Sequence, residues 1–125
     1  MVNNYFERID RTILQFTDIV DNHTINKNKF NETQALLLGV IIFIDKSKLS
    51  FMEFIDLDVN GKIKYKYHYM NENNEQIFRF DNAKHHPDIK TYSHHVHIGN
   101  KISESKEPQL FDVSIKIHDK LAINQ

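Results

Sequence analysis

The histidines of this chain are concentrated in one stretch. Five of the eight lie between residues 85 and 97, within the sequence DNAKHHPDIKTYSHHVH that begins at Asp81. Free imidazoles titrate at about pH 6.5, so near neutrality they can accept a proton, donate one or bind a metal ion. This stretch is therefore the first candidate for acid–base or metal chemistry.

The composition limits the classes of protein that the chain can belong to. Its 125 residues fit one domain, predicted as residues 1–125, and no cysteine is present for a disulfide or a thiolate zinc site. The formal net charge of −1 excludes a global basic field for nucleic acid and leaves only local binding. A polar N-terminus and the lack of an apolar run of membrane-spanning length predict a cytoplasmic protein without membrane contact.

Apolar spacing predicts a helix near each end of the chain. The stripe of the first helix comprises Phe6, Ile9, Ile13 and Phe16. Asn3 or Asn4 is expected to cap it. The stripe of the second comprises Leu110, Val113, Ile117 and Leu121. Residues 111–117 also alternate like a strand, but Pro108 favours the helix because proline is common in the first helical turn.

Six segments are predicted to be strands of an antiparallel sheet. They are residues 20–30, 35–44, 48–57, 62–70, 77–81 and 92–98. The first is placed at an edge, and the second, which is apolar throughout, in the centre with both faces buried. The predicted fold is α+β, an antiparallel sheet of five or six strands with an N-terminal and a C-terminal helix packed on one face. Open edges and an open face favour a homodimer.

Alternation in the fourth and fifth strands separates an aromatic face from a charged face. The aromatic face, expected under the helices, comprises Ile63, Tyr65, Tyr67, Tyr69, Phe78 and Phe80. The charged face comprises Lys62, Lys64, Lys66, His68, Arg79 and Asp81. In the sixth strand His95 and His97 point one way and His94 the other. We expect the imidazoles to meet over the cationic side of the sheet.

Glu53 is out of place in the third strand, where it alternates with Leu49, Phe51 and Ile55. A carboxylate on an apolar face is costly unless a cation meets it. Two explanations stay open. Arg79 could be its partner, or a β-bulge could turn the side chain outwards.

Three motifs of the chain are similar to those of a known family. They are YKYH at residues 65–68, RFDNAKHH at residues 79–86 and SHHVH at residues 93–97. They resemble the Tyr-x-Tyr-His, Arg-Tyr-Asp-Asn-Ala-Pro-His-His and Pro-His-His-x-His motifs of the TumE-type family, small prokaryotic toxins of toxin–antitoxin pairs. The resemblance implies a toxin encoded with an antitoxin, usually a small DNA-binding protein. It does not imply a reaction, because the word toxin describes a genetic role.

The resemblance extends from about Leu49 to His97, and the helix at residues 110–121 matches in position. Phe80, Lys84 and Ser93 replace a tyrosine and two prolines of the family motifs. These departures affect loop rigidity and one hydroxyl more than the set of polar groups.

We favour metal-independent RNA cleavage as the reaction. His95 and His97 would form the acid–base pair, one imidazole taking the 2′-hydroxyl proton and the other protonating the leaving oxygen. Asp81 would orient an imidazole, and His68 and His85 are further catalytic candidates. The expected substrate-binding residues are Arg79, Lys66, Lys64, Tyr67, Asn82, His86 and His94. The ordinary alternative for the lysines is a solvated strand face, and for the tyrosines a place in the core.

Metal binding is the main alternative, since imidazoles and a carboxylate suit Zn²⁺ or Mn²⁺. His95 and His97 with Asp81 or His85 would supply the ligands of a hydrolase, although no established metal motif is present. A second alternative is a non-catalytic module that binds nucleic acid or protein. The histidines would then hydrogen-bond backbone groups and support a dimer contact.

Overall fold

The structure is a computed structural model that describes residues 1–84 and 88–123, with side chains to residue 122. Its elements are α1 (Val2–Leu14), β1 (Val20–Lys29), β2 (Gln34–Phe43), β3 (Lys48–Asp56), β4 (Lys62–Met70), β5 (Gln76–Asp81), β6 (His95–Ile98), β7 (Lys101–Glu104) and α2 (Leu110–Ile123). The α+β class is confirmed. His85 and His86, two predicted site residues, lie outside the described residues.

In the described part of the chain, seven strands form one antiparallel sheet in the order β1-β2-β3-β4-β5-β6-β7. Each strand therefore pairs with its neighbour in the sequence, and β1 is at an edge as predicted. The prediction of five or six strands is wrong by one, because β7 follows β6 through a two-residue turn. Gly99 begins that turn with a φ of 58°, a left-handed conformation that glycine adopts at little cost.

Both helices cover the same face of the sheet, as predicted. The buried face of α1 comprises Val2, Tyr5, Ile9 and Ile13. That of α2 comprises Leu110, Val113, Ile117 and Leu121, which is the predicted stripe. They join one core with the inward side chains of β2 to β5. The predicted asparagine cap is wrong, because α1 begins at Val2 and Asn3 and Asn4 lie within its first turn.

A β-bulge shifts the alternation at the start of β4. Lys62 pairs with Ile55 and Lys64 with Phe54, so Ile63 is the extra residue. As a result Ile63 is 45% exposed and Lys62 is buried on the helix side, which reverses the prediction for both residues. The Lys62 ammonium donates a hydrogen bond of 2.8 Å to the Pro108 carbonyl at the entrance to α2.

Glu53 lies on the helix side of β3 and is completely buried. Both explanations offered for it are wrong. Its carboxylate accepts hydrogen bonds from the Tyr5 hydroxyl and, at 2.5 Å, from the Tyr67 hydroxyl. Burial and the charge of Glu53 raise the pKa of both phenols, so they stay protonated donors. A pair of phenols thus takes the place of the expected cation and ties α1 to the sheet.

The face of the sheet away from the helices is here called the open face. The expectation that β2 is buried on both sides is wrong, because Leu38 is 43% and Val40 is 38% exposed on the open face. β2 has no polar side chain after Gln34, although only one of its faces is covered. Within the described residues, both helices fall short of the length and hydropathy needed to cross a bilayer.

Candidate functional site

Two rows of side chains run across the open face, each built from residues that are paired on neighbouring strands. The His68 row comprises Thr24, Val40, Ser50, His68, Arg79, His97 and Ile102. The Asp81 row comprises Asn26, Leu38, Met52, Lys66, Asp81, His95 and Glu104. Directly paired residues in antiparallel strands point to the same face and lie about 5 Å apart. Register alone therefore brings the predicted imidazoles, cations and carboxylate together.

The carboxylate of Asp81 is at the centre of the polar residues on β5 and β6, and the residue is only 5% exposed. Oδ1 lies 2.8 Å from Nε2 of His95 and accepts a 3.0 Å hydrogen bond from the Ala83 amide. Oδ2 accepts a 3.0 Å hydrogen bond from Nε of Arg79 and lies 3.5 Å from Nε2 of His97. One carboxylate therefore orients both imidazoles and the guanidinium.

His95 is the more buried of the two β6 histidines, with 2% of its surface exposed. Its Nδ1 lies 2.8 Å from the Ser93 carbonyl oxygen, and its Nε2 faces Asp81. A carbonyl accepts but does not donate, so Nδ1 carries a proton that it donates to Ser93. This geometry holds the ring in one orientation and suits a residue that positions its neighbours.

His97 lies closer to solvent, with a side chain that is 14% exposed. Its Nε2 is 3.1 Å from Nη2 of Arg79, and its ring packs edge-on against that of His95 at a centroid distance of 4.8 Å. Arg79 always carries its charge, and its side chain is 33% exposed. His97 and Arg79 are therefore the members of this group that a ligand on the open face can reach.

His68 pairs with Arg79 across β4 and β5. Burial lowers the pKa of His68, and the positive charges of Arg79 and Lys66 lower it further. A hydrogen bond with Gln76 raises the pKa, but by less than these effects lower it. Within residues 1–84 and 88–123, its buried Nε2 has no hydrogen-bond partner. The ring is thus held neutral at neutral pH, which is the state that a general base requires. Because Nε2 is buried, a base at this position would act through Nδ1.

The structure brings seven predicted site residues together on the open face. They are Lys64, Lys66, His68, Arg79, Asp81, His95 and His97. The five of them on β4 and β5 were predicted to share a surface, and this is confirmed. Lys62, predicted on the same face of β4, is not part of it.

Three predicted substrate-binding residues have other partners. Tyr67 is completely buried beneath the helices, so its prediction as a substrate contact is wrong. His94 points to the helix side, where its Nδ1 lies 2.9 Å from the Tyr65 hydroxyl and its ring stacks on that tyrosine. Asn82 bonds the β4 backbone, accepting from the Tyr65 amide and donating to the Ile63 carbonyl. His94 and Asn82 therefore help to fix the bulged end of β4.

Sequence reasoning missed two backbone groups of the site, the Ser93 carbonyl and the Ala83 amide. An aspartate often accepts from the amide two residues further on, so the Asp81-x-Ala83 spacing is a usable signal for the second. The position of the Ser93 carbonyl depends on the path of the loop before β6, and no sequence rule gives it.

A metal ion could be held by Asp81, His95 and His97, whose ligand atoms lie within 4.8 Å of one another. The bond from His95 Nδ1 to a carbonyl is typical of a histidine that binds metal through Nε2. Against this fit, Arg79 bonds two of the three ligand residues and brings a positive charge to the same place. Because the Arg79 guanidinium lies beside Asp81 and His97, this group of side chains is better suited to bind an anion than a metal cation.

A cavity of about 390 Å³ lies away from the open face, between α1 and α2. Its described lining includes Arg8, Thr12 and Gln109 but neither an imidazole nor a carboxylate. It therefore lacks the groups for acid–base chemistry, and the open face is the better candidate site.

The fold and the site together define the class of protein. It is an antiparallel meander with two helices on one face and a cluster of histidine, aspartate and arginine side chains on the open face. The family model described as Toxin TumE matches residues 9–122. The chain therefore belongs to the TumE toxin family, which supports a toxin role. No curated protein and no solved structure matches the chain.

Proposed function

We propose that this toxin cleaves RNA without a metal ion, using His68 and His97 as the acid–base pair. The observation that carries the proposal is the run of His68, Arg79 and His97 on three adjacent strands of one row. Strands two places apart are separated by about 10 Å. A phosphodiester on the Arg79 guanidinium would then lie between the two imidazoles.

In the proposed reaction the neutral His68 removes the proton from the 2′-hydroxyl. The 2′-oxygen attacks phosphorus and the bond to the 5′-oxygen breaks. His97 carries a proton once the Arg79 guanidinium has turned from its Nε2 to the phosphate, and it gives that proton to the leaving oxygen. Asp81, 3.5 Å from Nε2 of His97, stabilises the protonated ring, and Arg79 stabilises the charge of the phosphorane. The products are a 2′,3′-cyclic phosphate and a 5′-hydroxyl.

This assignment changes the role that the sequence suggested for His95. The ring is 2% exposed, and both of its nitrogens face protein acceptors. We propose that His95 is a positioning residue that holds Asp81, while His68 takes the place of general base.

The family supports one further part of the proposal, the antitoxin partner. A toxin needs a cognate antitoxin, and an inhibitor that covers the open face would block the proposed site. Cellular RNA as the target also fits the cytoplasmic location expected from the sequence.

The test is incubation of tag-free protein with total RNA, in the presence and absence of a chelator. The wild-type protein should give fragments with 2′,3′-cyclic phosphate ends in both conditions. His68→Gln and His97→Gln should lower the rate by at least about 100-fold, and His23→Gln on the exposed edge strand should not. Undiminished cleavage by both site variants would contradict the proposal.

A metal-dependent hydrolase is the second candidate, because the Asp81, His95 and His97 ligand atoms lie so close together. It predicts that chelation abolishes cleavage and that added Zn²⁺ or Mn²⁺ restores it. The same experiment therefore separates the two candidates. A non-catalytic binding module would give no fragments with or without metal.

A further inference from the structure

A shallow groove of about 250 Å³ on the open face extends from β1 to β4. Its lining includes Thr24, Leu38, Val40, Ser50, Met52 and Lys66. Leu38 and Val40 leave 43% and 38% of their surfaces exposed there. Large aliphatic side chains grouped on a solvent face point to a bound partner more than scattered ones do.

The groove and the histidine cluster are parts of the same two rows. Ser50 of the groove pairs with His68, and Met52 pairs with Lys66. From Arg79 to Val40 the His68 row crosses three strand spacings, which is about 14 Å. A flexible polymer bound at Arg79 can therefore continue along the rows into the groove.

The charge of the groove indicates which kind of polymer it would bind. Lys66 lines the groove, and Lys64 follows it on the exposed side of β4. Among the described residues, the lining of the groove includes this cation and no carboxylate. A ligand with anionic groups along its backbone and flat apolar groups beside them matches both the lysines and the aliphatic floor.

We propose that the groove binds the bases of unpaired RNA nucleotides that flank the scissile phosphate. This inference rests on the proposed function and adds the substrate class, single-stranded RNA. In a duplex each base face is covered by its neighbours in the stack, whereas an unpaired base can lie on an apolar protein surface. The adjoining phosphate would then lie at Lys66.

The test is fluorescence anisotropy with a short, unpaired 2′-O-methyl oligoribonucleotide, which cannot be cleaved because its 2′-oxygen is blocked. Leu38→Ser with Val40→Ser should weaken its binding by at least about 5-fold, since the change removes the apolar surface on which the bases would lie. The same oligonucleotide in a duplex should bind weakly to wild type and variant alike. Ile115→Ser, on α2 and 39% exposed, is the matched control and should leave binding unchanged.

The two proposals fail in different ways. If His97→Gln abolishes cleavage while the groove variant binds and cleaves unpaired RNA like wild type, the groove assignment is overturned and RNA cleavage stands. If wild-type protein cleaves nothing but binds unpaired RNA through Leu38 and Val40, the groove assignment stands and RNA cleavage fails. A groove variant that loses only self-association, measured by sedimentation, would show that a second copy is the occupant and would overturn the assignment.

Discussion

Asp81 and His95 are paired on β5 and β6, with Oδ1 and Nε2 2.8 Å apart and both residues at least 95% buried. The contact lies beneath the more exposed Arg79 and His97, which it holds in place through the second carboxylate oxygen. Site geometry thus depends on a buried polar contact whose loss affects both stability and chemistry.

Asp81→Ala is expected to lower the free energy of unfolding by about 3 kcal/mol, because it removes the acceptor for buried polar groups. It should also lower cleavage by at least about 100-fold. Urea denaturation followed by circular dichroism measures the first effect, and RNA cleavage the second. Asp58→Ala in an exposed turn is the control. Wild-type stability in the Asp81 variant would show that the contact is of no consequence.

The pH dependence of cleavage should report the environment of His68. Burial and the charges of Arg79 and Lys66 lower its pKa, so the acid limb of the kcat/KM profile should lie below pH 6.5. Lys66→Met removes one of those charges and should move the limb to higher pH. Lys64→Met removes a positive charge that is not among the named causes of the lowered His68 pKa, so it should move the acid limb less. An equal movement in both variants would count against His68 as the base.

The same pKa shift has a consequence for stability. The folded chain disfavours protonated His68, so below about pH 6.5 it binds fewer protons than the unfolded chain. Stability should therefore decrease as the pH falls from that value towards the folded-state pKa. The measurement is urea denaturation at a series of pH values. In His68→Gln this part of the decrease in stability should be absent.

Glu53 should matter for stability and not for cleavage. Tyr5→Phe and Tyr67→Phe each remove one donor to a buried carboxylate and should cost about 1–3 kcal/mol. The two losses should be non-additive, because both hydroxyls share one acceptor. The control is Tyr92→Phe, in which the ring is 47% exposed. A loss of cleavage in Tyr67→Phe without any loss of stability would restore tyrosine to the substrate site.

Arg79 should control whether the site prefers an anion or a cation. Arg79→Ala is expected to lower cleavage by about 100-fold or more, as loss of a charge-stabilising donor does. It should also strengthen Zn²⁺ binding in calorimetry, because Asp81 and His97 lose a competing cation. Arg79→Lys, which keeps the charge, should bind Zn²⁺ no better than wild type. Tight stoichiometric Zn²⁺ binding by wild-type protein would favour the metal-dependent candidate.

Much of the fold follows from the sequence because the strands alternate so regularly. The placement of His68, Arg79 and Asp81 on one face needed only the period of two and the pairing of adjacent strands. β7 was missed because four exposed residues with one isoleucine carry little pattern, although Gly99-Asn100 is a hairpin signal. The expected homodimer stays a prediction.

The failures arose where tertiary contacts override local patterns. The bulge that turns Lys62 inward depends on acceptors from the segment before α2, far away in sequence. Glu53 depends on hydroxyls from α1 and β4, and the pairing of tyrosine with carboxylate cannot be read from spacing. The relative depth of His95 and His97 is likewise a property of the packed loop before β6 and not of the His-x-His pattern.

The order of the meander has a consequence for synthesis on the ribosome. Every strand after the first pairs with the strand that precedes it in the sequence. Most of the sheet can therefore form through contacts between sequence neighbours as the chain emerges. β6 and β7 are the last strands, and α2 follows them. A nascent chain would thus expose the lysines of β4 before the paired imidazoles of β6, so the cationic part of the open face forms before the histidine cluster is complete.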